Sequence, residues 1–296
     1  MDISRALNTL TQRYPAKRVL ITGATSGLGE ALAMEFATAG WRVAVTGRCT
    51  EKAARAAGLV TEAGGEPLPL VMEVTHPEHF DLALNEVNEA WGGLDVLINY
   101  AGVAGTGLFE DVSLEAWGSM LDTNLLSIVY GCRAFLPLLK QSGGGHIVNV
   151  ASAAGLYCAP GMIHYNVAKA GAIAISETLR AELAPDNIGV TVSCAEFFQS
   201  GLLDGDKAGS TSSPEENDHM QARAKADIAS SAYSSQDIAR HTISSMAKGE
   251  LYSLPMRETR LGWHALRWLP ETARTLMAWM YRKQLWKFAP VTTQGE

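Results

Sequence analysis

Cysteine is scarce in this chain of 296 residues, and the four present (Cys49, Cys132, Cys158, Cys194) are scattered. No Cys-x-x-Cys occurs, and no histidine stands at metal-ligand spacing from them. That excludes a zinc centre of the Cys/His kind and a disulfide framework, and it fits reduced thiols in the cytoplasm. Charged residues make up only 19%, and between Gln141 and Ala168 there are none. A stretch of that length raises the question of a membrane span. Gly143-Gly144-Gly145, Asn149, Ser152, Pro160 and Gly161 interrupt it, so a buried strand followed by a loop is expected instead. The start, Met1 to Lys17, is polar and lacks the apolar core of a signal peptide.

What is abundant is apolar surface, 47% of the residues, and glycine, 28 residues in clusters rather than in a repeat. The length and composition suit one large domain with a substantial core, or at most two. The net charge of −7 hides an asymmetry. Residues 257–296 hold seven Lys or Arg against three Glu, or +4, leaving 17 basic and 28 acidic residues, or −11, on the rest. A basic tail follows an acidic body.

Residues 18–22 (RVLIT) read as a buried strand, followed by the glycine turn 23–29 (GATSGLG) and a helix over 30–39. Strand, glycine turn and helix aim backbone N–H groups and a positive helix end at a pyrophosphate. Here the spacing is G-x-x-x-G-x-G, which alone is weak and gains its force from the flanking elements. The second strand, 41–46, ends at Gly47-Arg48, where an adenine ribose would lie in a βαβ nucleotide fold. An arginine there suits a 2′-phosphate and so NADP(H), with NAD(H) as the alternative; the plainer reading is a surface arginine beside a turn. Helix 50–63, strand 67–72, helix 77–91 and strand 94–98 alternate as in parallel α/β units. Helix signals run from Ser113 to about Gln141 with Asn124 as a buried amide, satisfied either locally or as part of a site. A fifth strand, 145–150, delivers Ser152 to its carboxyl end, and a sixth spans 188–193. Residues 201–235 are polar and serine-rich and read as a mobile loop or lid; a helix over 236–247 and a short strand near 251–253 follow.

Between strands five and six stands Tyr165-Asn166-Val167-Ala168-Lys169. Tyr165 and Lys169, four apart, rise from one helical face, so an ammonium stands near a phenol and should lower its pKa. A phenol tuned downward can exchange a proton with an alcohol or carbonyl oxygen, and Ser152 could hold that oxygen. Taken alone the pair is more often a packed ring beside a solvated lysine. The alanine-rich helix around it is apolar on more than one side, which suggests a subunit interface and a homodimer or homotetramer.

TGATSGLG (22–29), NYAG (99–102), Asn124, Ser152 and YNVAK (165–169), in this order, resemble the short-chain dehydrogenase/reductase family over about residues 17–255. The compact single-domain branch has this glycine spacing. The resemblance implies a doubly wound parallel α/β sheet of about seven strands, with a helical extension over 257–296 beyond the domain 1–256. It implies an oxidoreductase moving a hydride between NADP(H) and a carbonyl or secondary alcohol. Tyr165 would be the acid/base; Lys169 would hold the nicotinamide ribose and lower the tyrosine pKa. Ser152 would position the substrate oxygen, and Asn124 would support a water-linked proton path. Gly23, Thr25, Ser26, Gly27, Leu28, Gly29, Arg48, Glu73, Val74, Asn99, Ala101, Gly102 and Ser200 would join Tyr165 and Lys169 around the cofactor. Three departures stand out. Tyr100 replaces a usual Asn beside the adenosine half, Glu73 a usual Asp, and 195–200 (AEFFQS) a usual Pro-Gly segment. Ser200 can replace the family's threonine hydroxyl, while Glu196 would bring a carboxylate toward the nicotinamide.

Tyr157, Met162 and Phe197, with Ser152 and Tyr165, suggest an apolar lipid-, steroid- or aromatic-like substrate. The competing reading is a non-catalytic nucleotide-binding redox sensor. No nucleic-acid partner is expected. In the tail, Trp263, Trp268, Trp279 and Trp286 stand among seven basic residues, and Pro270 suits the start of a second helix. On that helix Leu276, Met277 and Met280 share one face and Trp279 and Trp286 the other. A lid or dimer arm is the favoured reading; peripheral attachment of 257–288 to anionic membranes stands beside it.

Overall fold

Val19, Leu20 and Ile21 are fully buried in the first strand, β1 (Arg18–Ile21), and the rest of the sheet grows outward from it. The computed structural model describes residues 2–200, 222 and 225–285. The further strands are β2 (Arg42–Gly47), β3 (Glu66–Val71), β4 (Val96–Asn99), β5 (Gly145–Val150), β6 (Ile188–Ser193) and β7 (Tyr252–Ser253). All pair in parallel, in the order β3-β2-β1-β4-β5-β6-β7. A parallel sheet needs crossovers, and helices supply them on both faces, each covering its own apolar layer. Pro67 and Pro69 sit on β3, an edge strand, where a missing N–H costs no inner ladder bond. The strand order reverses between β1 and β4, which opens a crevice at their carboxyl ends.

The helices before this crevice's far wall are α1 (Ile3–Arg13), α2 (Gly27–Thr38), α3 (Thr50–Glu62) and α4 (Pro77–Trp91). After β4 come α5 (Leu114–Leu121) and α6 (Ser127–Gln141), joined through a π-helical segment, Asp122–Leu126. The one long helix expected from Ser113 to Gln141 is therefore continuous in path but wider at Asn124. Ser113 caps it as expected, accepting from the N–H of Ala116 at 3.2 Å. The site-bearing helices are α7 (Ala153–Tyr157) and α8 (Ile163–Glu182); α9 (Ser235–Lys248) returns to the sheet. Its capping box, Ser234 with Asp237, gives a firm start to the helix.

Sequence inspection missed α1. Ala6, Leu7, Leu10 and Tyr14 recur at helical spacing and are buried, the signal that a search for a leader peptide passes over. Arg13 donates to the carbonyls of Met246 and Ala247 at the end of α9, at 3.4 and 3.0 Å, so α1 closes that helix's open acceptors. Of the loop expected over 201–235, residues 201–221 and 223–224 lie outside the described residues; 225–230 are helical rather than loop.

The tail forms two helices, α10 (Arg257–Trp268) and α11 (Pro270–Arg282), with Pro270 opening the second as expected. Thr259 is buried, and Trp263 packs against the core beneath the Arg267 guanidinium, 4.7 Å from its ring. The expected faces of α11 need correction. Met277 and Met280 turn inward, whereas Leu276, at 54% exposure, lies outside with Trp279 at 46%. No residue of α11 is fully buried; Met277 and Met280 are half-buried, and Met280 reaches the cavity. Trp286 and Lys287 fall outside the described residues.

Candidate active site

The crevice begins at the glycine turn. Gly23 (φ +71°) and Gly27 (φ +57°) take left-handed backbone that a side chain would strain. A Cβ on Gly29 would sit 2.5 Å from the Gly23 carbonyl oxygen, so the turn folds onto the start of α2 only without one. Thr46 Oγ1 accepts from the N–H of Gly23 at 3.0 Å, and Thr22 Oγ1 accepts from Tyr100 and Ala101 at 2.9 and 3.1 Å. Strands β1, β2 and β4 thus hold the loop that points the α2 N-terminus into the crevice. Thr25 and Ser26 lie on this turn; Arg48 is exposed just past β2, and Glu73 and Val74 follow β3. These positions and the tight, Cβ-free turn fit a dinucleotide laid across the strand ends.

Asn99, expected beside the cofactor, ends β4 at the crevice. Its side chain is buried away from the crevice, donating to Asn149 Oδ1 at 2.9 Å and to Cys132 Sγ at 3.4 Å. Asn149 in turn donates to Ser176 at 3.0 Å, so this chain of amides ties β4, β5, α6 and α8 together. Side chains alternate faces along a strand, and Asn99 falls on the face covered by α6 and α8.

Asn124 is fully buried in the π segment. Its Oδ1 accepts from the N–H of Val103 at 3.1 Å, and its Nδ2 donates to the Val103 carbonyl at 3.0 Å and lies 2.7 Å from Met120 Sδ. A Cβ on Gly102 would meet Asn124 Oδ1 at 2.5 Å. The extra residue of a π turn pushes Asn124 toward the loop after β4, which its amide clamps on both edges.

Ser152, Tyr165 and Lys169 meet around one point. Ser152 ends the extension of β5 and caps α7, accepting from Ala154 N–H at 3.1 Å and donating to the Ala195 carbonyl at 3.4 Å. Its hydroxyl and the Tyr165 phenol line the same cavity. Lys169 is 4% exposed; its Nζ donates to the Val150 carbonyl at 2.9 Å and stands 5.7 Å from the Tyr165 ring centre. Gly155 lets α7 lie on this stretch of α8, since a Cβ there would reach 2.5 Å from the Lys169 carbonyl carbon.

The electrostatics correct the sequence reading. Burial pushes Tyr165 up to about 12, partly opposed by the Ser152 hydroxyl, and burial pushes Lys169 down to about 8. The lysine therefore does not pull the phenol below its ordinary value here. Desolvation acts on both groups, and at 5.7 Å from the ring centre with its proton on a carbonyl the ammonium does not reverse it.

A cavity of about 470 Å³ extends from this point, with a largely apolar wall. Leu28, Gly102, Asn124, Ser152, Tyr165, Lys169 and Ser200 line it, as do Tyr157, Met162 and Phe197. Gly23, Arg48, Glu73 and Asn99 do not. Ile228, Met280 and Leu285 also join this wall, the last two from the tail that was expected to form a lid or dimer arm. They come from two segments far along the chain, Ile228 from the helical stretch 225–230 and the other two from the tail.

Glu196 does not point its carboxylate simply at the reacting end. Oε1 accepts from Thr259 Oγ1 at 2.9 Å and from the Tyr157 hydroxyl at 3.2 Å. The Glu258 carbonyl lies 3.4 Å from the same hydroxyl, and the Tyr157 carbonyl accepts from Arg274. The segment that departs from the family pattern is thus the anchor of α10.

A strand-end crevice with a glycine turn and a Ser/Tyr/Lys cluster defines a dinucleotide-binding α/β protein. The short chain dehydrogenase profile matches residues 17–209, and this chain belongs to that family. The 11-beta-hydroxysteroid dehydrogenase 1A of Arabidopsis thaliana is 36% identical over 191 residues, which cover 64% of this chain and 54% of that protein. The match thus spans only about half the length of this curated relative. The 2,5-dichloro-2,5-cyclohexadiene-1,4-diol dehydrogenase of Sphingobium indicum is 36% identical over 184 residues, 61% of this chain and 72% of that one. Among solved structures, a Burkholderia phymatum short-chain dehydrogenase/reductase in complex with NAD is similar with a TM-score of 0.78 and 26% identity. The alignment covers 85% of this chain and 94% of that one.

Proposed function

We propose that this chain reduces a carbonyl, or oxidises the matching secondary alcohol, with NADP(H). The observation that carries the reading is Ser152, Tyr165 and Lys169 converging at one end of an apolar cavity of about 470 Å³. When bound, the dinucleotide supplies or accepts the hydride. Ser152 Oγ donates to the substrate oxygen, and the Tyr165 hydroxyl gives it a proton in reduction or takes one in oxidation. Lys169, buried beside the phenol, holds the ribose hydroxyls and compensates charge developing on Tyr165. Asn124 acts as a positioning residue for the loop at Gly102 and Val103, because both edges of its amide are already engaged. Arg48, exposed past β2, favours a 2′-phosphate and hence NADP(H) over NAD(H). The apolar wall of Met162, Phe197 and Met280 suits a lipid-, steroid- or aromatic-like ketone. A panel of such ketones and alcohols, with NADPH and NADH followed by absorbance, tests this. Dinucleotide binding without turnover of any of them would leave a redox-sensing role instead.

We further propose that residues 257–296 are an extension beyond the domain 1–256, and that Met280 and Leu285 serve as the outer wall of that domain's cavity. Among the described residues no helix is long and apolar enough to cross a membrane. The outward face of the tail nonetheless shows Leu261 at 71% and Trp268 at 81% exposure, flanked by exposed Arg257, Arg260 and Arg267. That composition supports peripheral contact of a cytoplasmic protein with anionic lipid. Sedimentation with anionic vesicles, released by salt and absent with neutral vesicles, is the expected result. Exposed Val129 on α6 and Val167 on α8 support association as a homodimer or homotetramer, to be measured by analytical ultracentrifugation.

A further inference from the structure

Glu196 brings a carboxylate into a cavity wall that is otherwise largely apolar. One of its oxygens, Oε1, accepts from Thr259 Oγ1 at 2.9 Å and from the Tyr157 hydroxyl at 3.2 Å. The other, Oε2, has no hydrogen-bond partner among the described residues. Two neutral donors thus fix the group in place and leave its charge uncompensated, an unfavourable state for a half-buried carboxylate in apolar surroundings. It stands close to the reacting end, since the carbonyl of the neighbouring Ala195 accepts from Ser152 at 3.4 Å. The rings of Tyr157, Phe197 and Phe198 line the same cavity, and half-buried Asp227 adds a second carboxylate. Of the described lining residues only Lys169 is basic, and its ammonium is turned to the Val150 carbonyl.

A carboxylate with an open oxygen beside aromatic rings favours a cation. The oxygen accepts a charge-assisted hydrogen bond, and the ring faces add electrostatic attraction. We propose that the cavity selects a cationic apolar substrate, a ketone or secondary alcohol whose carbon skeleton carries a protonated amine, and that Glu196 recognises the amine. The inference rests on the oxidoreductase reading of the site and narrows its substrate class. The apolar wall of Met162, Phe197 and Met280 takes the skeleton, and Ser152 and Tyr165 take the reacting oxygen. The ammonium donates to Glu196 Oε2, and Asp227 adds a longer-range attraction. A substrate bearing a carboxylate in that place would instead meet two like charges, so the same wall discriminates against acids.

Three aryl ketones of one shape, assayed with NADPH on the full chain, test this. Their side chains end in a dimethylamino group, protonated at pH 7 like other aliphatic amines, in an isopropyl group of the same size, or in a carboxylate. Wild type should favour the amine over the isopropyl ketone in kcat/KM by roughly ten- to a hundredfold, the scale of a charge-assisted hydrogen bond, with the carboxylate poorest. Glu196→Gln keeps an acceptor for Thr259 and Tyr157 but removes the charge. It should bring the amine-to-isopropyl ratio to about one or below, chiefly through KM for the amine. Asp227→Asn should lower the ratio by roughly two- to fivefold, as for a partly solvated charge. Calorimetric titration of the same compounds, with cofactor present, should give the same ranking independently of turnover. Equal kcat/KM and equal binding of the amine and isopropyl ketones by wild type overturn the proposal, as does a preference that survives in Glu196→Gln. If no ketone turns over while the calorimetric ranking holds, the oxidoreductase reading fails and the amine site stands.

Discussion

The Tyr165 hydroxyl and the Lys169 ammonium share a helical face, yet burial moves them in opposite directions, to about 12 and about 8. Tyr165 is therefore protonated near neutral pH, the form from which a donor in reduction starts. Tyr165→Phe keeps the ring and removes that proton. Turnover should fall by about 10²–10⁴ while the dissociation constant for NADPH changes little. A residual rate near wild type would remove Tyr165 from the chemistry. Lys169 gives a separate test through stability. Its folded pKa lies below the ordinary 10.5, so between about 8 and 10.5 the unfolded chain keeps a proton the native chain has lost. Stability from this group is impaired below pH 8 and recovers as pH rises through that window. Lys169→Met should thus stabilise the fold near neutral pH by roughly 1–3 kcal/mol, net of its lost bond to Val150, while abolishing turnover. A lower melting temperature for this variant would contradict the burial argument.

Between elements, the contacts that set the site are few and specific. Glu196, Thr259 and Tyr157 fasten the start of α10 to the segment after β6. Thr259→Val removes one donor while keeping the shape. It should raise KM for a bulky apolar ketone several-fold with kcat nearly unchanged, whereas loss of kcat alone would place Glu196 in the chemistry instead. On the opposite side of the sheet layer, β5 meets β6 through His146 and Thr191, 2.9 Å apart. Thr191 gives its own proton to the Glu250 carbonyl at 2.7 Å, so it must accept from Nε2 of a neutral imidazole. Nδ1 has no partner and lies against Gly189, which leaves an added proton nowhere to bond. Burial accordingly lowers His146 from 6.5 to about 3. The unfolded chain binds the extra proton in that range, so stability should drop by about 1.4 kcal/mol per pH unit from 6.5 toward 3 on account of this group. His146→Gln should flatten the dependence of the urea midpoint on pH over that window. An unchanged slope would mean other groups govern the acid transition.

Across the whole molecule, an acidic body carries a basic hairpin whose inner side closes the cavity through Met280 and Leu285. Ending the chain after Met256 should open that cavity. Activity on a small ketone should survive, while KM for a bulky apolar one rises by about tenfold, on the scale of the lost apolar contact. Equal effects on both substrates would show that the tail supports the fold rather than the pocket.

The alternation of strands and helices and the glycine turn were legible in the sequence because each depends on local spacing, whereas Ser152, Tyr165 and Lys169 stood out as a set through the resemblance to a family. Period-two and period-3.6 patterns select element type, and a residue four positions on must share a helical face. Helix α1 was equally local and went unread only because its buried stripe is short. Other outcomes depended on contacts between distant positions. Asn99 turned into the core because Asn149 and Cys132 meet it there. Glu196 turned toward Thr259, sixty-three residues on. The protonation of Tyr165 and Lys169 followed from burial, which no spacing reports. Sequence fixes which groups can act; desolvation and long-range hydrogen bonding, present only once the chain has packed, decide their direction and charge.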